Sequence, residues 1–160
     1  MSWIPVLATV VGAVVGLGSG LLIDHVRSRR DDSANWRTVR RETYVSYLSA
    51  LHEANEAMRA VSLGEHAPDL TRMAAARAAF RAARVTMTRE QVILLAPEPV
   101  IIAADAAFRS LRALRDQIGH GAGLADYEPV LEDYAGHLHA LRDAIRRDLG
   151  VPGSAPHIAL

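Results

Sequence analysis

The chain has 160 residues, no formal net charge and no cysteine. That excludes global electrostatic attraction to nucleic acid, disulfides, thiolate catalysis and thiolate metal sites. All 18 basic residues are arginine and only eight residues are aromatic, so the core must come mostly from Ala, Leu, Val and Ile, a composition that points to closely packed helices and to no sheet.

The first element in chain order is Trp3–Ile23, 21 positions without a charged side chain. As a helix it spans roughly 30 Å, the thickness of a bilayer's hydrocarbon core. Six arginines follow closely: Arg27, Arg29, Arg30, Arg37, Arg40 and Arg41. Basic residues beside a span stay on the cytoplasmic side, so the expected topology is single-pass with the N-terminus outside and the rest cytoplasmic. Arginine without lysine, and abundant alanine, suggest a GC-rich bacterial genome, so the expected membrane is a bacterial inner (plasma) membrane. A cleaved secretion signal would carry its charge before a shorter apolar run and a small-residue cleavage site after it. Here the basic residues come after the run, and Leu21-Leu22-Ile23-Asp24 offers no such site.

Within the run, Ala8, Gly12, Gly16 and Gly20 recur every four residues and share one helix face. A row of small residues lets two backbones approach in lipid, so the span is expected to permit self-association. The six arginines mark a juxtamembrane basic stalk over 24–42, where Asp24, Asp31 and Asp32 dilute any attraction to anionic lipid.

After the stalk, apolar residues return at helical spacing in four segments, which predicts an all-α antiparallel bundle of about four helices over 43–150. The first seam is Tyr44, Leu48, Leu51, Asn55, Met58 and Ser62, widened by Val45, Tyr47, Ala54 and Val61, and it stops at Gly64. Asp69 is placed to cap the second helix, whose seam is Met73, Ala76, Phe80, Ala83, Met87 and Leu94. Ala96-Pro97-Glu98-Pro99 ends it, and Pro99 suits the first turn of the third. The third carries Val100, Ile101, Ala104, Phe108, Leu111, Leu114 and Ile118 up to the glycine-rich turn Gly119–Gly123. The fourth starts at Asp126 and carries Tyr127, Leu131, Tyr134, Leu138, Leu141, Ile145 and Leu149. Phe80, Leu111, Tyr134, Leu138 and Leu141 are the expected centre of the core. A flexible tail, 151–160, closes the chain. Val92–Ala107 is apolar enough to suggest a second span, but Pro97, Glu98, Pro99 and Asp105 interrupt it.

Charge registers the predicted hairpins. An antiparallel pair turning near His66 sets Glu53 opposite Arg81 and Glu56 opposite Arg77, and a turn near Ala122 sets Arg112 near Glu132 and Arg115 near Glu128. Arg77, Arg81 and Arg84 form a stripe that could meet phosphate. No aromatic residues interleave for base stacking, and the acidic neighbours already claim two of the three, which speaks against nucleic acid. His52–Glu56 and Asp133–His137 each share a helix face, but no H-E-x-x-H and no Glu-x-x-His unit accompanies them, so neither a metal nor another cofactor is expected. With no phosphate loop after a strand and no nucleophile elbow, the sequence does not read as an enzyme.

Trp3-Ile4-Pro5, the glycine-rich run, Asp24-His25-Val26-Arg27-Ser28-Arg29-Arg30, Arg40-Arg41-Glu42-Thr43-Tyr44-Val45-Ser46-Tyr47-Leu48 and the closing Arg146-Arg147-Asp148-Leu149-Gly150 occur in that order. In this layout the chain resembles small actinobacterial proteins with an N-terminal transmembrane anchor and a cytoplasmic helical bundle. The resemblance covers most of residues 3–150 and implies the same layout, but no activity.

The expected function is therefore a non-enzymatic, membrane-anchored interaction or scaffold protein. Its anchor (1–23) sits in the lipid bilayer, its bundle meets a cytoplasmic protein partner, and its span forms a homo-oligomer. The alternative is a membrane-active oligomer, a small channel or phage-type lesion former assembled through the glycine row. Against it stands the scarcity of polar residues for a pore, only Ser2, Thr9 and Ser19.

Overall fold

The computed structural model describes residues 35–121 and 124–156. The predicted span, its row Ala8, Gly12, Gly16 and Gly20, and Arg27, Arg29 and Arg30 lie outside the described residues. Among the described residues, no helix is long and apolar enough to cross a membrane, Val92–Ala107 included. The chain divides into two compact units, Met1–Val39 and Arg40–Leu160. Of the first, 35–39 are described and helical. The second is all-α, with no strand among its described residues.

Helix α1 covers 35–62, and α2 (Arg72–Ala82), α3 (Val85–Leu95), α4 (Glu98–Gly119) and α5 (Leu124–Asp148) follow. In α1, Tyr44, Tyr47, Leu51, Ala54, Met58 and Val61 are buried at alternating three- and four-residue steps. The buried seam thus runs through Tyr47 and Ala54, and Val45, expected to widen it, is 58% exposed on the outer face. Gly64 ends the helix at φ +87°. The Gly64 and Glu65 amides reach back to the carbonyls of Val61 (3.0 Å) and Ala60 (2.9 Å), so the left-handed residue satisfies carbonyls the helix end would orphan.

The second predicted helix is two helices. Thr71, and not Asp69, caps α2, its hydroxyl accepting from the Ala74 amide at 3.2 Å. After Ala82 the chain turns through Arg84, whose φ of 56° and ψ of 26° are left-handed, and α3 starts afresh. The turn resets the helical phase. Val85, Thr88 and Val92 now face inward, while Met87 and Leu94, which an unbroken helix would bury, are 50% and 81% exposed. The buried Thr88 hydroxyl donates to backbone carbonyls of its own helix.

Helix α4 starts with its Pro-Glu-Pro corner and packs most extensively on α5. It buries Val100, Ala104, Ala107, Phe108, Leu111, Leu114 and Ile118, against Tyr134, Leu138, Leu141 and Ile145 from α5. All five expected core residues are buried.

All four tyrosines join α1 to the α4–α5 pair or answer it from the other side. Tyr47 donates to the Ala104 carbonyl (2.9 Å), Tyr134 to the Leu51 carbonyl (3.3 Å) and Tyr44 to the Asp148 carboxylate (2.6 Å), and Tyr127 shares a hydrogen bond with Ser62 (3.0 Å). These bonds set α1 antiparallel to α5 and parallel to α4. Beyond α5, residues 151–156 of the predicted tail fold back. Arg146 donates to the Pro152 and Gly153 carbonyls, and Asp143 accepts from the Ala155 amide at 2.6 Å.

Burial pushes the Tyr47 and Tyr134 hydroxyls well above the ordinary value of 10.0. A raised folded-state value means the unfolded chain ionises first. The stability these groups contribute is complete below pH 10 and declines as pH rises through and beyond it, by about 1.4 kcal/mol per pH unit for each tyrosine. Denaturant midpoints measured from pH 8 to 11.5 should fall above pH 10, and Tyr134→Phe should flatten that fall.

Two glycines give opposite expectations. A Cβ at Gly119 would lie 2.6 Å from Met73 Cε and 3.2 Å from Met73 Cα, where α4 and α2 approach. The thioether can swing aside but the backbone cannot, so Gly119→Val should cost about 1–3 kcal/mol. Gly136, inside α5, has open space around it, and Gly136→Ala should stabilise by up to about 1 kcal/mol in the same denaturation series.

Candidate anion-binding cleft

The chain has two phenylalanines, and the fold puts them together: Phe80 of α2 and Phe108 of α4 lie 5.8 Å apart, tilted by 59°. Both are buried, and guanidinium groups cover them. Arg89 of α3 sits 4.9 Å and Arg112 of α4 5.8 Å from the Phe108 ring centre, and Arg115 lies 5.3 Å from that of Phe80. A ring face is the negative end of the aromatic quadrupole, so each contact attracts the cation and orients its flat fork.

Beside the rings is a cleft of about 430 Å³. Arg77 and Arg81 line it from α2, Thr86 and Arg89 from α3, and Arg112 and Arg115 from α4, with both phenylalanines at its floor. The spacing explains the convergence. Arg77 and Arg81 flank Phe80 on one turn of α2, and Arg112 and Arg115 lie four and seven residues beyond Phe108 on α4. The left-handed turn at Arg84 lets α3 bring in Arg89 from a third direction.

Carboxylates neutralise part of this charge. Arg89 pairs with Asp105 (2.7 Å) and Glu90 (2.9 Å), and Asp105 also holds Arg109 (3.1 Å). Arg115 forks onto its neighbour Asp116 at 2.8 and 2.6 Å. Among the described residues no carboxylate pairs with Arg77, Arg81 or Arg112. Five guanidiniums line the cleft and Arg109 shares Asp105 with one of them; against three carboxylates this leaves a local charge of about +3, in an electrically neutral chain.

The hairpin pairings expected from charge do not form. Glu53 and Glu56 do not meet Arg81 and Arg77, because the arginine face of α2 is turned toward α4; Arg112 and Arg115 face α2 and α3 and do not reach Glu132 and Glu128 on α5. Of the arginine stripe Arg77, Arg81 and Arg84, the first two enter the cleft, whereas Arg84 forms the helix break. Arg40, expected in the basic stalk, binds Asp148 at 3.3 Å, next to the Tyr44 hydroxyl; Arg41 is exposed, and Arg37 lies in the helical stretch of the first unit. His137 and His139 each approach the aspartate four residues away in sequence, at 3.4 and 3.5 Å. Among the described residues, no three His, Asp or Glu side chains converge as a metal site would require.

No family model, curated protein or solved structure matches the chain.

Because Arg84 holds a conformation that costs an L side chain roughly 1–2 kcal/mol, Arg84→Gly should raise stability by about 0.5–1 kcal/mol, once the greater freedom of glycine in the unfolded chain is offset. Thermal denaturation checks this. A loss of stability would mean that the Arg84 side chain itself holds the break.

Proposed function

We propose that the chain is a membrane-anchored, non-enzymatic interaction protein. Its bundle is presented at the cytoplasmic face of a bacterial inner membrane and meets an anionic partner through the arginine cleft. The observation that carries this reading is the cleft itself: three guanidiniums without carboxylate partners, converging with two oriented ones on a shared opening. Such an arrangement binds and orients anionic groups, and it occupies an outward-facing groove between α2, α3 and α4.

The tether is supported by Trp3–Ile23 and the arginines that follow it. In the same reading, Ala8, Gly12, Gly16 and Gly20 let two spans pack, so that two bundles stand side by side and a partner engages both.

Fractionation of cells followed by crosslinking tests the two parts separately. The full chain should stay in the membrane pellet after alkaline carbonate washing, and a chain beginning at Asp32 should move to the soluble fraction. Full chain in the soluble fraction would overturn the tether. Crosslinked protein adducts of the full chain should drop at least fivefold on Arg81→Glu with Arg112→Glu, and adducts at the wild-type level would overturn the cleft as the contact surface.

A further inference from the structure

We propose that the cleft recognises the dianionic phosphoryl group of a phosphate monoester carried on a segment of a partner protein. This rests on the cleft being the bundle's contact surface, and it adds the chemistry of what enters.

Charge is the first argument. The cleft keeps about three positive charges after Glu90, Asp105 and Asp116 are counted against its five guanidiniums and Arg109. A phosphate monoester carries close to two negative charges at neutral pH, twice the charge of an aspartate or glutamate side chain. A long polyanion fits less well. Asp105 sits at the α3–α4 wall and Asp116 beside Arg115, so a nucleic-acid backbone following the cleft would meet carboxylates at its margins. One compact dianion between them would not.

Donor geometry is the second. Arg77 and Arg81 come from one wall, Arg112 from the other and Arg89 from a third helix, with the Thr86 hydroxyl among them. Unpaired forks from two facing helices, with Thr86 on a third, suit a tetrahedral anion, whose oxygens point in several directions. A planar carboxylate presents its lone pairs in a single plane and is satisfied by one fork.

The aromatic floor is the third. Both rings are buried and carry guanidiniums, two on Phe108 and one on Phe80. Neither ring is offered for base stacking, so a nucleotide gains nothing here from its base. Of the arginines stacked on the rings, Arg112 has no carboxylate partner and keeps its N–H edge for a ligand, whereas Arg89 and Arg115 direct theirs at Asp105, Glu90 and Asp116. A volume of about 430 Å³, open where Arg77, Arg81 and Arg112 are exposed, accommodates a phosphorylated side chain together with its neighbouring residues.

The test uses the full chain in detergent micelles and fluorescence anisotropy. The probes are three labelled pools of degenerate nonapeptides with a fixed central phosphoserine, glutamate or serine, and unlabelled inorganic tripolyphosphate is the competitor. The phosphoserine pool should bind at least tenfold more tightly than the glutamate pool, and the serine pool should not bind. Tripolyphosphate should displace it. Arg81→Gln and Arg112→Gln, both exposed positions, should each weaken phosphoserine binding tenfold or more while leaving the circular dichroism spectrum unchanged. Arg59→Gln, an exposed arginine on α1, should have no effect.

Equal binding of the phosphoserine and glutamate pools, lost in the same variants, would overturn the phosphoryl assignment and leave the cleft as an acidic contact. Binding of tripolyphosphate without the phosphoserine pool would overturn the protein-borne source. Phosphoserine binding indifferent to Arg81→Gln and Arg112→Gln would overturn the cleft as the site altogether.

Discussion

A single left-handed residue organises the part of this protein on which its proposed role rests. At Arg84 the chain leaves one helical phase and begins another, with neither glycine nor proline to ease the turn. Val85, Thr88 and Val92 gain the interior, and Arg89 swings over Phe108 toward Asp105. Without that turn α2 and α3 would be one rod, with Met87 and Leu94 directed inward. The arginines would then form a stripe along one helix instead of facing a common opening. Conformational strain at one backbone position and the assembly of the cleft are the same event.

Buried tyrosine hydroxyls hold α1 against the α4–α5 pair. Aliphatic packing is nondirectional and tolerates sliding by a turn, and a core made largely of alanine and leucine offers few shapes to prevent it. A hydroxyl that must find one particular carbonyl does prevent it. Tyr47 on Ala104 and Tyr134 on Leu51 fix the axial position of α1 from opposite directions, and Tyr44 on Asp148 fixes the far end. Each bond contributes modestly to net stability, but breaking one inside the core leaves a polar group stranded.

The helical class and most of the core were legible in the sequence, because buried positions recur at 3.6-residue spacing and the turn at Gly64 and the corner at Pro97–Pro99 are marked by residues with strong backbone preferences. The helix break was not. Ala82-Ala83-Arg84-Val85 contains nothing that demands a left-handed residue, and tertiary burial of Val85 and Val92 overrode an uninterrupted local pattern. The cleft was half legible. Arg77 and Arg81 stood out as a stripe, but pairing them with Glu53 and Glu56 assumed that α2 turns its basic face to the preceding helix. The overlooked signal was the gathering of arginines around both phenylalanines: Arg77 one turn before Phe80 with Arg81 beside it, and Arg112 one turn after Phe108. Arg112 stacks on Phe108, and Phe80 takes its cation from Arg115 of the facing helix.

The close approach of Met73 to Gly119 has a chemical consequence. In a chain without cysteine, methionine sulfur carries the sensitivity to oxidants. Met73 sulfur lies only 2.7 Å from where a single added carbon on Gly119 would sit, so there is no spare room on that side. A sulfoxide would bring one oxygen, and a dipole, to the seam that joins α2 to α4. Peroxide would then drive a wedge between α2 and α4, the two helices that carry Arg77, Arg81, Arg112 and Arg115, and enzymatic reduction of the sulfoxide would withdraw it.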